Sequence, residues 1–135
     1  MEAGNLTGHD GVYLDTHVVV WLYASGGESL SDVARERIEA AGRLLVSPMV
    51  RLELAYLYEL ERITESAAVI LDYLEQPLGL EVCDRPFDEV ATAAARLTWT
   101  RDPFDRLITA QAAVGGNLLL TKDAHIREHY ARALW

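Results

Sequence analysis

Residues 101–126 read RDPFDRLITAQAAVGGNLLLTKDAHI, and the order of signals within them decides the fold class. Asp102-Pro103 is a helix start: an Asp side chain satisfies free first-turn amides, and proline fits the first helical position. Gly115-Gly116 is expected to end that helix, because glycine takes up the left-handed conformation of a helix C-terminus. Asn117 to Thr121 is then an apolar run of strand length, and Asp123 opens a short helix. Helix, strand and helix in so short a span is the rhythm of an α/β sheet with parallel strands.

The same alternation extends towards the N-terminus. Leu80-Glu81-Val82-Cys83 is a predicted strand, followed by an alanine-rich helix from about 87 to 97. Thr64 opens a helix reaching about Leu74. Ser47-Pro48 supplies the cap and first position of a helix to about Leu60, behind a strand at Leu44-Leu45-Val46. Helices at about 17–24 and 31–41, the second closed by Gly42, follow a first strand at Val12-Tyr13-Leu14. Ala131 to Trp135 are expected to add an edge strand. With no repeat, low-complexity tract or Pro-rich linker, the expectation is a single domain over 11–135 behind a flexible N-terminal tail at 1–10. The fold class is α/β, a central, mostly parallel sheet with helices on both faces. In such sheets a ligand site lies beyond the carboxyl ends of the strands.

Composition narrows the function less. Half of the 135 residues are hydrophobic, which excludes a disordered chain. The 21 acidic residues outnumber the 12 basic ones, for a formal charge of −9, the opposite of the usual nucleic-acid binder. That balance suits a basic partner or a cation site. Eleven of the basic residues are Arg, a side chain made for forked phosphate contacts. The single cysteine, Cys83, excludes an internal disulfide framework. MEAGNLTGHDG lacks the basic flank and apolar run of a signal peptide, and Val18 to Ala24 is far too short to span a bilayer. The expected location is the cytoplasm, with no membrane contact.

Four acids stand where such a sheet places its ligands. Asp15 directly follows the first strand. Asp123 follows the fourth after Thr121-Lys122, and Asp105 lies in the first turn of the helix begun by Asp102-Pro103. Each alone is explained by capping or by the helix dipole. Asp102 is the plainest N-cap, which leaves Asp105 at N3, pointing out from the first turn. Glu53 resists that explanation. Its helical neighbours, Met49, Val50, Tyr56 and Leu57, make an apolar stripe, so it belongs to the face turned inward. A carboxylate there must be neutralised, paired or bound to a metal; Arg51 and Arg106 are the candidate pairing partners.

As a set, the acids make a stronger case. Carboxylates brought to one sheet edge repel one another, and a divalent cation is the usual remedy. All-oxygen ligation favours Mg²⁺ or Mn²⁺ over zinc or copper. Such an ion activates water and stabilises charge on a phosphodiester undergoing displacement, so metal-assisted phosphodiester hydrolysis is the expected chemistry.

At this point the residues resemble a known family. YLDTHVVVWL, the helix carrying RLELAYL, the run RDPFDRLITAQA and the strand end LLLTKDAHI are similar to the four motifs of PIN domains, above all in the VapC group of toxins from toxin–antitoxin modules. They occur in the family's order from about Val12 to the C-terminus, and DPFDRLI followed by a T-[KR]-D strand end is their specific part. The resemblance implies a PIN-like three-layer sandwich and a metal-dependent endoribonuclease. It makes Asp15, Glu53, Asp105 and Asp123 the catalytic, metal-binding quartet for Mg²⁺ or Mn²⁺, with the Thr16 hydroxyl supporting metal or water. The doubled Asp in DPFD leaves Asp102 as an alternative to Asp105; the family's Asp, just before an apolar L-I-x-A stretch, favours Asp105. The resemblance also implies homodimers, an RNA substrate (often transfer RNA), a bacterial or archaeal source and a cognate antitoxin whose tail covers the site.

RNA needs local positive charge, and Arg101, Arg106 and Lys122 flank the site in sequence. Solvent exposure or pairing with nearby acids explains them equally well; Arg106 is placed to brace Asp102 as an i,i+4 pair. His125 and His129 have helical zinc spacing but lack a third ligand. His17 is as much structural as substrate-facing. Trp21, Leu22, Tyr23, Tyr56 and Tyr58 are assigned to core packing before any groove. Rival functions are an aspartyl-nucleophile phosphotransferase, against which stands the missing second Asp of a DxDx[TV] element, a receiver-type regulator, which lacks the early acidic pair, and a catalytically inactive binding or regulatory module of the same fold.

Overall fold

A computed structural model of the chain describes residues 8–135. The elements run β1 (Val12–Leu14), α1 (Thr16–Ser25), α2 (Asp32–Ala40), β2 (Leu44–Val46), α3 (Pro48–Glu59), α4 (Ala67–Leu78), β3 (Glu81–Val82), α5 (Phe87–Ala94), α6 (Pro103–Ala113), β4 (Leu118–Leu120), α7 (Ala124–His129) and β5 (Ala133–Leu134). The five strands form one sheet in the order β3-β2-β1-β4-β5. Every pairing is parallel, with Tyr13 opposite Leu45 and Leu119. β1 and β2 are buried at each residue. Since successive strand side chains point to opposite faces, unbroken burial means that both faces are covered.

Local chemistry sets the helix ends. Ser47 caps α3 by accepting from the Met49 amide, with Pro48 at the first position. α6 begins as the sequence predicts, and Gly116 (φ 68°) closes it while the Asn117 amide reaches back to the Ala112 carbonyl. Two expectations are corrected. α2 is closed by Ala41 in extended conformation, because the chain must run straight into β2, and Gly42 is not a left-handed cap. α4 starts at Ala67, where the Ser66 hydroxyl accepts from the Val69 amide, so Thr64 lies outside it. It continues past Leu74 through Pro77 to Leu78, and Gly79 (φ 64°) ends it. A proline so near the end removes little of the helix's bonding.

Residues 1–7 of the expected N-terminal tail lie outside the described residues. Of the remainder, the His9 carbonyl accepts from the Tyr13 hydroxyl at 2.6 Å, and the His9 ring meets Asp84 at 2.9 Å. Gly11 follows where β1 enters the sheet. A Cβ there would stand 2.7 Å from the Arg43 carbonyl oxygen and 3.0 Å from a Leu45 methyl. The carbonyl is backbone held by the Val12 amide and cannot swing aside. Gly11→Ala is therefore expected to destabilise the fold by about 1–3 kcal/mol, read as a lower urea midpoint at unchanged slope. An unchanged midpoint would show that the β1–β2 entrance is looser than its contacts.

The core lies between sheet and helices, with Leu14, Val18, Val46, Val50, Leu54, Leu119, Leu120 and Ile126 among its fully buried side chains. A satellite cluster of Val90, Ala94 and Ala110 joins α5 to α6. β1 is flanked by β2 on one side and β4 on the other, so the chain's direction of winding reverses between β1 and β4. The crevice at the carboxyl ends of those two strands is where an open α/β sheet binds its ligand.

Candidate active site

That crevice is acidic. Asp15 leaves β1 as the N-cap of α1, its amide donating to the Leu120 carbonyl at the end of β4 (3.0 Å). This bond fixes the first carboxylate at the seam of the two strands. One Asp15 oxygen accepts from the Thr16 amide at 2.8 Å; the other accepts from the Thr121 hydroxyl at 2.6 Å. Thr121 is fully buried, and its oxygen also accepts from the Asp123 amide at 3.1 Å. One hydroxyl thus links the acids that follow β1 and β4. Asp123 caps α7, one oxygen accepting from the His125 and Ile126 amides.

Glu53 comes from α3, between the buried Val50 and Leu54. Its partner is neither Arg51 nor Arg106. Glu53 Oε1 accepts from the buried Thr16 hydroxyl at 2.5 Å, and among the described residues it makes no ion pair. Thr16 therefore orients a carboxylate. Asp105 projects from the first turn of α6, and its carboxylate has no hydrogen-bond partner among the described residues. Asp15, Glu53, Asp105 and Asp123 line one cleft of about 280 Å³, together with His17, Trp21 and Lys122. Asp102 is exposed outside it, capping α6 through the Phe104 and Asp105 amides at 2.8 and 3.2 Å. Of the doubled Asp in DPFD, the second faces the cleft.

Electrostatics follow from the crowding. Burial, and then the charges of Asp102, Asp123, Asp15 and Glu53, push the Asp105 carboxyl up to about 7. Burial also raises Glu53, against the Thr16 hydrogen bond, and raises Asp15, against those from Thr121 and Thr16. These groups are arranged at a cost in repulsion that no hydrophobic core requires, as groups with a task commonly are. Among the described residues no three His, Cys, Asp or Glu side chains are clenched into a coordination cage. The four carboxylates line the cleft, with the Thr16 and Thr121 hydroxyls holding those of Glu53 and Asp15. Their donor set is oxygen alone, which fits a hard divalent cation and not zinc.

The model of the PIN domain family matches residues 12–131, nearly the whole chain. The chain belongs to the PIN-domain family. Ribonuclease VapC22 of Mycobacterium tuberculosis (strain ATCC 25618 / H37Rv) is 38% identical over 120 residues, covering 87% of this chain and 91% of that protein. Among solved structures, VapBC-1 from nontypeable Haemophilus influenzae superposes with a TM-score of 0.62 at 14% identity, over 92% of this chain and 95% of that one. VapBC2 from Rickettsia felis, bound to a promoter DNA fragment, gives 0.59 at 18% identity, over 87% and 91%. At such identities these structures attest the PIN fold.

Of the predicted phosphate-binding residues of this PIN domain, only Lys122 lines the cleft. Arg101 is exposed and does not line the cleft. Arg106 does not brace Asp102: its Nε donates to the Thr100 carbonyl at 2.7 Å, holding the loop before α6. Sequence reasoning missed Thr121, although a hydroxyl at a buried strand end two residues before an acid was visible. It also set aside His17, which lines the cleft, and it gave Trp21 to the core, against which Trp21 does pack while lining the cleft as well. His125 and His129 contact each other and Trp99 instead of forming a metal site.

Proposed function

We propose that this PIN domain is the endoribonuclease toxin of a VapC-type toxin–antitoxin pair, hydrolysing RNA phosphodiester bonds with a divalent cation, Mg²⁺ or Mn²⁺. The observation that carries the reading is the convergence of Asp15, Glu53, Asp105 and Asp123, from four separate elements, on one cleft at the sheet's switch point. The relative from M. tuberculosis, named a ribonuclease, supports it. Asp15, Glu53, Asp105 and Asp123 would hold the cation. When bound, it supplies Lewis-acid polarisation and a water acidic enough to act as nucleophile near neutral pH. Thr16 and Thr121 fix the rotamers of Glu53 and Asp15, and Lys122 offers a charge to substrate phosphate.

The solved relatives are VapBC complexes, which supports a cognate antitoxin as partner. A basic antitoxin tail suits the chain's charge of −9. We place the working protein in the cytoplasm of a bacterium or archaeon, as a homodimer; no helix among the described residues is long and apolar enough to cross a membrane.

The test is cleavage of total RNA by the purified chain, freed of antitoxin, with Mn²⁺ or Mg²⁺ and then with chelator. Cutting that needs the cation is expected. An intact RNA pool that includes the source organism's own transcripts and tRNAs would favour a binding module instead. Within the same assay, Thr121→Val is expected to lower cleavage roughly tenfold to a hundredfold, because it frees Asp15 to rotate and leaves the Asp123 amide without its acceptor. Wild-type rates in that variant would mean that the carboxylates need no such support.

A further inference from the structure

The cleft holds one feature that carboxylate chemistry does not use. Trp21, from α1, is its one large aromatic side chain, half-buried beside the acids. The ring is braced from the protein side by Trp135, with centroids 5.5 Å apart, and by the exposed His17 at 6.0 Å. The Lys122 ammonium stands over the indole, 5.8 Å from its centroid. Lys122 is the only lysine in the sequence. Its backbone is held too, the carbonyl accepting from Arg127 at 3.1 Å. A ring braced by the protein and an exposed cation therefore sit together in a pocket whose other lining is four acids and His17.

We propose that Trp21 is a nucleobase platform, on which the base of the nucleotide beside the scissile phosphate stacks while Lys122 moves from the ring to that nucleotide's phosphate. The proposal rests on the ribonuclease reading and adds to it the residue that seats the substrate. The indole and the ammonium suit the two halves of one ligand: a nucleotide carries a π-face and an anion joined by a sugar. A stacked base outweighs an exposed ammonium over the same ring, so the exchange runs towards substrate. It also answers the charge problem. A chain this acidic gains little from long-range attraction to RNA, and stacking supplies affinity that does not depend on it. Because every base has a π-face, the platform tolerates any sequence and leaves selectivity to other parts of the protein.

The probe is a short single-stranded oligoribonucleotide, titrated into the Asp105→Asn chain with Mg²⁺ and followed by tryptophan fluorescence. Stacking on Trp21 is expected to quench the signal. Trp21→Phe in the same background should keep binding within about threefold and lose most of the quenching, although Trp99 and Trp135 remain. Trp21→Leu should weaken binding tenfold or more. In cleavage by the otherwise unaltered chain, Trp21→Leu should raise KM with a smaller change in kcat. Quenching that survives in Trp21→Phe, or Trp21→Leu binding as its parent does, would overturn the platform while leaving the ribonuclease in place. Absence of both binding and cleavage in every variant would overturn the ribonuclease reading, and the platform with it. Should Trp21→Leu fail to fold, the quenching comparison with Trp21→Phe still decides.

Discussion

Asp105→Asn is expected to lower RNA cleavage by about a hundredfold or more, some 3 kcal/mol of transition-state stabilisation, while leaving the chain folded. Asn keeps the shape of Asp and removes the charge. In this cleft that charge has no hydrogen-bond partner among the described residues, and the charges that raise its carboxyl are those of other acids. A residue kept for stability would lose stability when neutralised. Here the metal-free variant should melt at a higher temperature than the wild type above neutral pH, because one repelling charge has gone. Opposite movements of activity and stability separate a cation ligand from a capping residue. Asp102→Asn is the internal control. It retains an N-cap side chain outside the cleft and should cost little in either measurement. If Asp102→Asn abolished cleavage and Asp105→Asn did not, the assignment within DPFD would be reversed.

Much of this site was legible because punctuation and placement coincide. Asp15, Asp105 and Asp123 all stand within a turn of a helix start, and the run DPFD announces its helix by Pro103. Strands of consecutive buried residues, such as Val12-Tyr13-Leu14, could only belong to a sheet covered on both faces, and the switch-point rule then located the cleft. Glu53 was legible by violation, a charge within an apolar helical stripe. What stayed hidden depends on pairing across the sheet. Nothing local tells that the Thr121 hydroxyl meets Asp15, since that requires β4 to lie beside β1 in the observed register. Trp21 packs partly against the core, as its apolar helix suggests, and its second role as a cleft wall stayed hidden because α1 is apolar on nearly every face. The fourth helix starts behind Ser66 and not at Thr64: either hydroxyl can cap, and it is that of Ser66 that accepts from a first-turn amide, Val69.

Stability should depend on pH in opposite ways with and without the cation. A carboxyl whose folded-state pKa lies above its unfolded value holds its proton more tightly when folded. Its contribution to stability is complete below the unfolded value and disappears as pH rises through the folded one. For Asp105 that window runs from its ordinary 3.8 to about 7, and Asp15 and Glu53 shift in the same direction. In chelator, thermal melts should therefore show stability falling between about pH 4 and 7. The chain's negative charge adds a falling background of its own, so the decisive comparison is Asp105→Asn, in which the part of the fall between about pH 4 and 7 should vanish. Cations reverse the sign, because only ionised carboxylates hold them. At a free concentration a hundred times the dissociation constant, binding to the folded state alone adds about 2.7 kcal/mol. That gain should be large at pH 8 and small at pH 5, where protons compete for the same oxygens. A melting temperature that rises with pH in chelator, or a Mg²⁺ shift equal at both pH values, would mean that these carboxylates are paired within the fold and that the cleft is not a cation site.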